Sequence, residues 1–237
     1  MISVCIATYN GEKELTRQLD SIIAQLRPGD EIVVSDDHST DGTRELLAKY
    51  PADVVRVVAG PAKGSPIPNF ENALRHAKGD YIFLADQDDQ WLQGKVEACL
   101  KALQHCDCVV TDCIVTDGGL RLKSPSFYGL NHTRCGKFYN LLVKNGYLGC
   151  CMAFRRSVLE KALPFPPDIP MHDIWIGNVA AFSGRVAFIP DKLINFCRHD
   201  HNASSTARQS QASLRCKIGF RWAVVKHLLP LLWRGRR

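Results

Sequence analysis

The sequence has no uncharged apolar stretch near the length of a bilayer span, which excludes a membrane-crossing helix. It has no internal repeat and no low-complexity tract, so solenoid arrays and long disordered linkers are excluded too. Met1 to Ala7 lacks a basic run ahead of a long apolar core and does not read as a secretory signal. The 10 cysteines are not at framework spacings. Cys5, Cys99 and Cys113 fall inside strand- or helix-like runs, which fits buried thiols in a reducing cytosol better than a disulfide scaffold. Cys106, Cys108 and Cys113 read more simply as buried cysteine than as a metal cluster.

Acidic residues are missing altogether after Asp200. Beyond it Arg208, Arg215, Lys217, Arg221, Lys226, Arg234, Arg236 and Arg237 give eight positive charges, and the rest of the chain is nearly neutral. The net charge of +6 is therefore a property of the tail. There Leu214, Ile218, Trp222, Val225, Leu229 and Leu232 share one helical face, and Pro230 is predicted to kink or end the helix. Such a helix either lies on an anionic membrane or docks on the protein's own body. Nucleic acid fits poorly, because no reading motif accompanies the basic residues.

What remains is ordinary for a globular domain: 237 residues, 46% hydrophobic and 23% charged, enough for one full core. Ile2 to Ala7, Glu31 to Ser35 and Val54 to Val58 are short β-branched runs predicting buried strands. Between them Leu15, Leu19, Ile22, Ile23 and Leu26 recur at helical spacing, and Thr43 to Lys49 is a short helix that Asp41 can cap. A helix over Asn69 to Ala77 precedes a further strand into Asp86. Alternating strands and helices predict parallel pairing and a nucleotide-binding α/β sheet. In such sheets ligands sit beyond the carboxyl ends of the strands, where Thr8 to Gly11, Asp36-Asp37 and Asp86 to Asp89 would all lie.

The stretch Tyr81 to Trp91 organises the rest. Its apolar run stops at three carboxylates within four positions, Asp86, Asp88 and Asp89. Such a cluster repels itself, and a hard divalent cation would neutralise it, with extended geometry turning Asp86 and Asp88 to one side. The plain alternative is a solvated turn capping a helix that begins near Trp91. Further on, Leu120 to Tyr139 has no period and reads as a mobile acceptor loop. Gly149 to Phe154 reads as a central strand, Ile174 to Phe182 as a helix, and Arg185 to Ile189 and Lys192 to Cys197 as strands.

Together Thr8-Tyr9-Asn10-Gly11, Val34 to Thr43, Ala85 to Trp91, Gly149-Cys150, His172 to Trp175 and Arg198-His199-x-x-Asn202 resemble the family 2 glycosyltransferases, and most the rhamnosyltransferase-like branch. The likeness runs in order from Ile2 to Ser205. It implies a GT-A fold: a Rossmann-like nucleotide-binding mixed sheet flanked by helices, followed here by the basic amphipathic tail. Residues 1–112 would form the nucleotide-sugar-binding half, 113–207 the acceptor-binding half and 208–237 the tail. By the same resemblance Asp36 accepts an N–H of uracil or thymine, with Thr8, Tyr9 and Asn10 lining that pocket and Lys63 countering the diphosphate. Asp88 and His199 bind Mn2+ or Mg2+, and Asp86 meets the ribose or shares the ion. Gly149, Cys150 and His172 contact donor or acceptor, and Asp173 is the base for an inverting transfer, although it is also a good N-cap for the following helix.

The implied donor is a dTDP- or UDP-linked sugar, with dTDP-rhamnose first and UDP-hexoses next. The implied acceptor is a surface-polysaccharide precursor or lipid-linked saccharide at the cytoplasmic face of the inner membrane. A non-catalytic GT-A domain that binds a saccharide or protein partner is the alternative. A sugar-nucleotide pyrophosphorylase would instead carry a glycine- and arginine-rich loop after the first strand, and Thr8-Tyr9-Asn10-Gly11 is not one.

Overall fold

The structure, a computed structural model, describes residues 1–198 and 213–234. The first half alternates as expected: β1 (Ile2–Thr8), α1 (Leu15–Ile23), β2 (Glu31–Asp36), α2 (Thr43–Leu47), β3 (Val55–Ala59), α3 (Pro66–His76) and β4 (Tyr81–Asp86). Strands β1, β2, β3 and β4 pair in parallel, and β1 lies between β2 and β4 with nearly every side chain buried. Burial on both faces is why these strands read as continuous apolar runs without alternation.

β5 (Gln90–Trp91) follows where a helix start was expected. The helix, α4 (Lys95–Leu103), begins after Gly94, whose φ of +87° suits glycine and breaks the chain away from β5. β6 (Cys108–Thr116) runs beyond Cys108 to Thr111, the stretch whose sequence reads as strand. The aperiodic region Leu120 to Tyr139 is not a bare loop: it forms β7 (Leu122–Ser124), α5 (Phe127–Asn131) and the start of α6 (Lys137–Leu142). These elements are too short to show a period, and Asp112 ties them down by accepting from Ser126 Oγ at 2.6 Å and Tyr128 N at 2.9 Å.

Gly149–Cys151 is a single 3-10 turn, and only then does β8 (Met152–Arg155) begin, antiparallel to both β4 and β6. After α7 (Arg156–Ala162) comes α8 (His172–Ser183), then β9 (Val186–Cys197), one strand in place of the two expected. Register jumps from Thr111↔Ile189 to Asp112↔Lys192, so Pro190 and Asp191 bulge out of the ladder where proline could not donate. The nine-stranded sheet runs β3-β2-β1-β4-β8-β6-β9-β5, with β7 on β6.

The last element, α9 (Leu214–Arg234), continues through Pro230 instead of ending there. It docks on the body through Ala223, Val224 and Leu228, which are buried, and Lys226 and His227 both reach Asp168. The inward face is not the one the sequence periodicity singled out. All 10 cysteines are free, and Cys106, Cys108 and Cys113 form no metal-type cluster among the described residues.

Candidate active site

The carboxyl ends of β1, β2 and β4 meet, and the polar turns leaving them are laced together. Strand β4 stops at Asp86, so Gln87 and Asp88 lie in a turn and the same-side argument for an extended Asp-x-Asp does not apply. Gln87 folds back onto the end of β1. Its Oε1 accepts from Thr8 Oγ1 at 2.6 Å and from Tyr9 N at 2.9 Å, and its Nε2 donates to Tyr9 O at 3.2 Å. Helix α1 braces the same turn through its backbone: Gln18 Nε2 donates to Asp86 O at 2.8 Å and Arg17 Nη2 to Asp88 O at 2.6 Å. Two of the turn's carbonyls, Asp86 O and Asp88 O, are thus satisfied by side chains of α1.

After β2, Asp36 is buried and accepts from both the N–H and the hydroxyl of Ser39. Asn10 links the neighbouring loops, donating its N–H to Ser39 Oγ at 2.9 Å and accepting from Thr40 N at 2.8 Å. An open groove of about 240 Å³ beside Asp36 is lined by His38, Arg44, Val57, Val58 and Ala59. Asp37 is a loop organiser: its carboxylate accepts from Ala62 N at 2.6 Å and Gly64 N at 2.8 Å, shaping the segment that carries the exposed Lys63. Thr8 is buried, whereas Tyr9 is exposed.

Asp89 is fully buried and Asp86 half-buried. Burial, then the nearby Asp88 and Asp173 charges, pushes the Asp86 carboxyl up to about 8. Burial, then Asp88 and Asp86, holds Asp89 well above the usual carboxylate range. Asp89 Oδ1 accepts from Cys197 N at 2.8 Å, while its buried Oδ2 has no hydrogen-bond partner among the described residues. Ligand atoms of Asp86, Asp89 and Cys150 all lie within 4.8 Å of one another. A partnerless buried oxygen and two carboxylates forced towards neutrality fit a divalent cation, and one thiol among oxygens suits a borderline ion such as manganese. Asp88 adjoins this group and is buried; His199 and His201 lie outside the described residues.

Asp173 stands in the first turn of α8, whose N-cap is Met171, so it is not the cap itself. Its Oδ2 accepts from Gly149 N at 3.0 Å and its Oδ1 from Ile174 N at 2.7 Å. Burial outweighs these hydrogen bonds and raises its carboxyl to about 6. Gly149 packs closely here: a Cβ there would lie 3.2 Å from His172 Nε2 and 3.4 Å from Asp173 Cβ, so the imidazole would have to give by a few tenths of an ångström. His172 is buried and stacks on Phe70 with centroids 4.0 Å apart, and burial holds its imidazole neutral by lowering its pKa to about 3. Neither ring nitrogen has a partner among the described residues.

Asp36, Asp86, Asp88, Asp173, Gly149 and Cys150 thus come from four separate stretches: the end of β2, the turn after β4, the 3-10 turn before β8 and the first turn of α8. Sequence reasoning missed Gln87 and Arg17, and of the acidic run it named Asp88 as the metal ligand and not Asp89. Asp89 was visible inside the acidic run, but the partners of Gln87 and Arg17 are about 70 to 100 positions away in sequence.

The profile of Glycosyl transferase family 2 matches residues 3–163. A UDP-Glc:α-D-GlcNAc-diphosphoundecaprenol β-1,3-glucosyltransferase of Escherichia coli is 25% identical over 179 residues, covering 70% of this chain and 64% of its own length. Staphylococcus aureus TarS 1–349, solved in complex with UDP-GlcNAc, superposes with a TM-score of 0.70 at 19% identity, over 98% of this chain and 70% of that one. Glucosyl-3-phosphoglycerate synthase from Mycobacterium tuberculosis, solved with Mn2+, UDP and phosphoglyceric acid, gives 0.59 at 18% identity over 98% and 78%. The fold is GT-A. The chain spans between 44% and 70% of the length of the first curated relatives it matches.

Proposed function

Because the chain belongs to glycosyl transferase family 2 and is a glycosyltransferase by that membership, we propose that it moves one sugar, with inversion, from a nucleoside diphosphate to a saccharide acceptor. The observation that carries this reading is the meeting of Asp36, the Asp86 to Asp89 turn and Asp173 at one sheet edge, where α/β folds take their ligands. Asp36 accepts the imide N–H that uracil and thymine share, with the groove at Val57 to Ala59 beside it, and Thr8, Tyr9 and Asn10, which lie outside that groove's lining, approach the base from the end of β1, where Asn10 N donates to Ser39 Oγ. Asp86, Asp88 and Asp89, with the Cys150 thiol and His199, are the residues to hold Mn2+ or Mg2+. When bound, the cation offsets the charge that develops on the departing diphosphate. Asp173 takes the proton of the acceptor hydroxyl as that oxygen bonds to the anomeric carbon and the bond to the diphosphate breaks. Gly149 N–H and Ile174 N–H hold the carboxylate in place for it. Lys63, Gly149, Cys150 and the neutral His172 border donor and acceptor.

Residues 1–112 and 113–207 divide donor from acceptor binding in this scheme, and 208–237 is an appendage. The likeness of motifs makes dTDP-rhamnose the first donor to test. The name of the E. coli relative makes UDP-glucose the second, and its diphosphoundecaprenol acceptor supports a lipid-linked saccharide reached at the cytoplasmic side of the membrane through the tail. A panel of nucleotide sugars in a thermal-shift assay, with and without manganese, tests the donor. Asp173→Asn separates enzyme from binder: it should keep nucleotide binding and lose turnover. A protein whose sugar nucleotides neither stabilise it nor turn over is a non-catalytic saccharide- or protein-binding domain.

A further inference from the structure

Two long stretches of this chain contain no acidic residue, 118–159 and 201–237. They make up a third of the sequence and hold fifteen of its 30 lysines and arginines. The fold brings parts of both together. Arg221, in α9, donates to Val143 O at 2.8 Å, which seats the second turn of α9 against the end of α6. Both helices rest on α8: α6 through Phe138 and Phe182, edge to face at 5.5 Å, and α9 through His227 and Trp175.

The same two helices carry most of the large apolar side chains left in solvent. Phe138, Leu142 and Val143 around α6, and Ile218, Trp222, Leu229 and Trp233 on α9, are each between 52% and 80% exposed. At 100° per residue the four on α9 fall within an arc of about 60°, facing away from the buried Val224 and Leu228. Three of them, Ile218, Trp222 and Leu229, belong to the face that the sequence periodicity marked as apolar, and among the described residues these three are left exposed, while Val225 of that face packs against the core. Exposed apolar residues of this number on one side mark an interaction surface. Lys137, Lys144, Lys217 and Arg221 are placed among them, and the partner must therefore be negatively charged as well as apolar.

We propose that α6 and α9 together form a platform that lies on an anionic lipid bilayer, with the α9 stripe and the α6 end inserted at the headgroup level. It extends the reading of the tail given above by adding α6 and fixing which side of α9 meets lipid. No helix of the described residues is long and apolar enough to cross a membrane, so the contact is interfacial. Basic residues around an apolar patch suit an acidic lipid surface, where two tryptophans sit well at the interface.

The test is sedimentation of the full chain with vesicles of equimolar phosphatidylglycerol and phosphatidylcholine, against vesicles of phosphatidylcholine alone. The wild type should bind the first, weaken as salt rises, and barely bind the second. Trp222→Ser with Trp233→Ser, and separately Leu142→Ser with Val143→Ser, should each cut partitioning at least tenfold. Because a variant could misfold, quenching of the wild-type tryptophans by brominated lipid supplies a measurement without substitution. Full binding after the α6 pair is changed would overturn the composite platform, as would equal binding to neutral vesicles or the absence of quenching. A dimer in solution that the α9 pair dissolves would assign the stripe to a second copy and overturn the proposal too. Sugar-nucleotide binding, measured without vesicles, is independent: its loss with vesicle binding intact would sink the transferase reading and leave this one standing.

Discussion

Replacing Asp173 by asparagine should leave a folded protein that binds its donor and scarcely turns over. The size of the effect follows from the site. Removing a positioned general base typically costs about 10²- to 10⁴-fold in kcat. The structural penalty is smaller, since asparagine keeps one oxygen for Gly149 N or Ile174 N and gives up about one hydrogen bond, worth about 1 kcal/mol. The wild-type pH profile carries the second half of the prediction. Burial holds the Asp173 carboxyl at about 6, above the carboxylate range, so the base is about one-tenth ionised at pH 5 and about nine-tenths at pH 7. kcat/KM should therefore rise about tenfold per pH unit on the acid side and level off by about pH 7. The assay is initial-rate release of nucleoside diphosphate at saturating manganese, so that occupancy of the acidic turn does not add its own pH dependence. Bound manganese favours the ionised carboxylate and moves the acid limb below the metal-free value, so a profile with no acid limb at any pH where the protein stays folded, or an asparagine variant within tenfold of wild type at equal melting temperature, would refute the assignment of the base.

Manganese affinity, followed by calorimetry, should increase with pH until about 8 and release protons, because the cation displaces the proton that burial keeps on Asp86. In the metal-free protein the same raised carboxyl favours the folded state fully only below its ordinary value of 3.8, and that contribution is lost as pH climbs to about 8, which thermal melts across the range would record. Gly177→Ala should lower the melting temperature despite alanine's better helix propensity: its Cβ would fall 2.3 to 2.6 Å from the Tyr147 ring, and overpacking costs about 1–3 kcal/mol against about 1 gained. Gln87→Ala removes the hydrogen bonds that tie the acidic turn to Thr8 and Tyr9, and it should weaken nucleotide binding more than it lowers stability, as paired titration and melting experiments would show.

The parallel half of the sheet was legible because β1, β2 and β4 are buried on both faces and so spell out unbroken apolar runs. Asp36, Asp86, Asp88 and Asp173 were legible through their motifs. What stayed hidden depends on distant partners. Pro190 made β9 look like two strands because the bulge that accommodates it exists only against β6. Gly149 to Cys151 passed for strand because the turn there is set by Asp173 accepting from Gly149 N, 24 positions away. The inward face of α9 differed from the apolar stripe because α8 and Asp168 select it, and periodicity reports only that a stripe exists.

Arg17 reaches two carbonyls at once, Asp88 O at 2.6 Å and Gly118 O at 3.2 Å, and so rivets the acidic turn after β4 to the loop after β6. The parallel and the mixed parts of the sheet therefore share one mechanical floor. Shape change during turnover has to come from segments outside that rivet. A substitution at Arg17, on a helix that contributes no group to the reaction, should surface as a kinetic defect and not merely as lost stability.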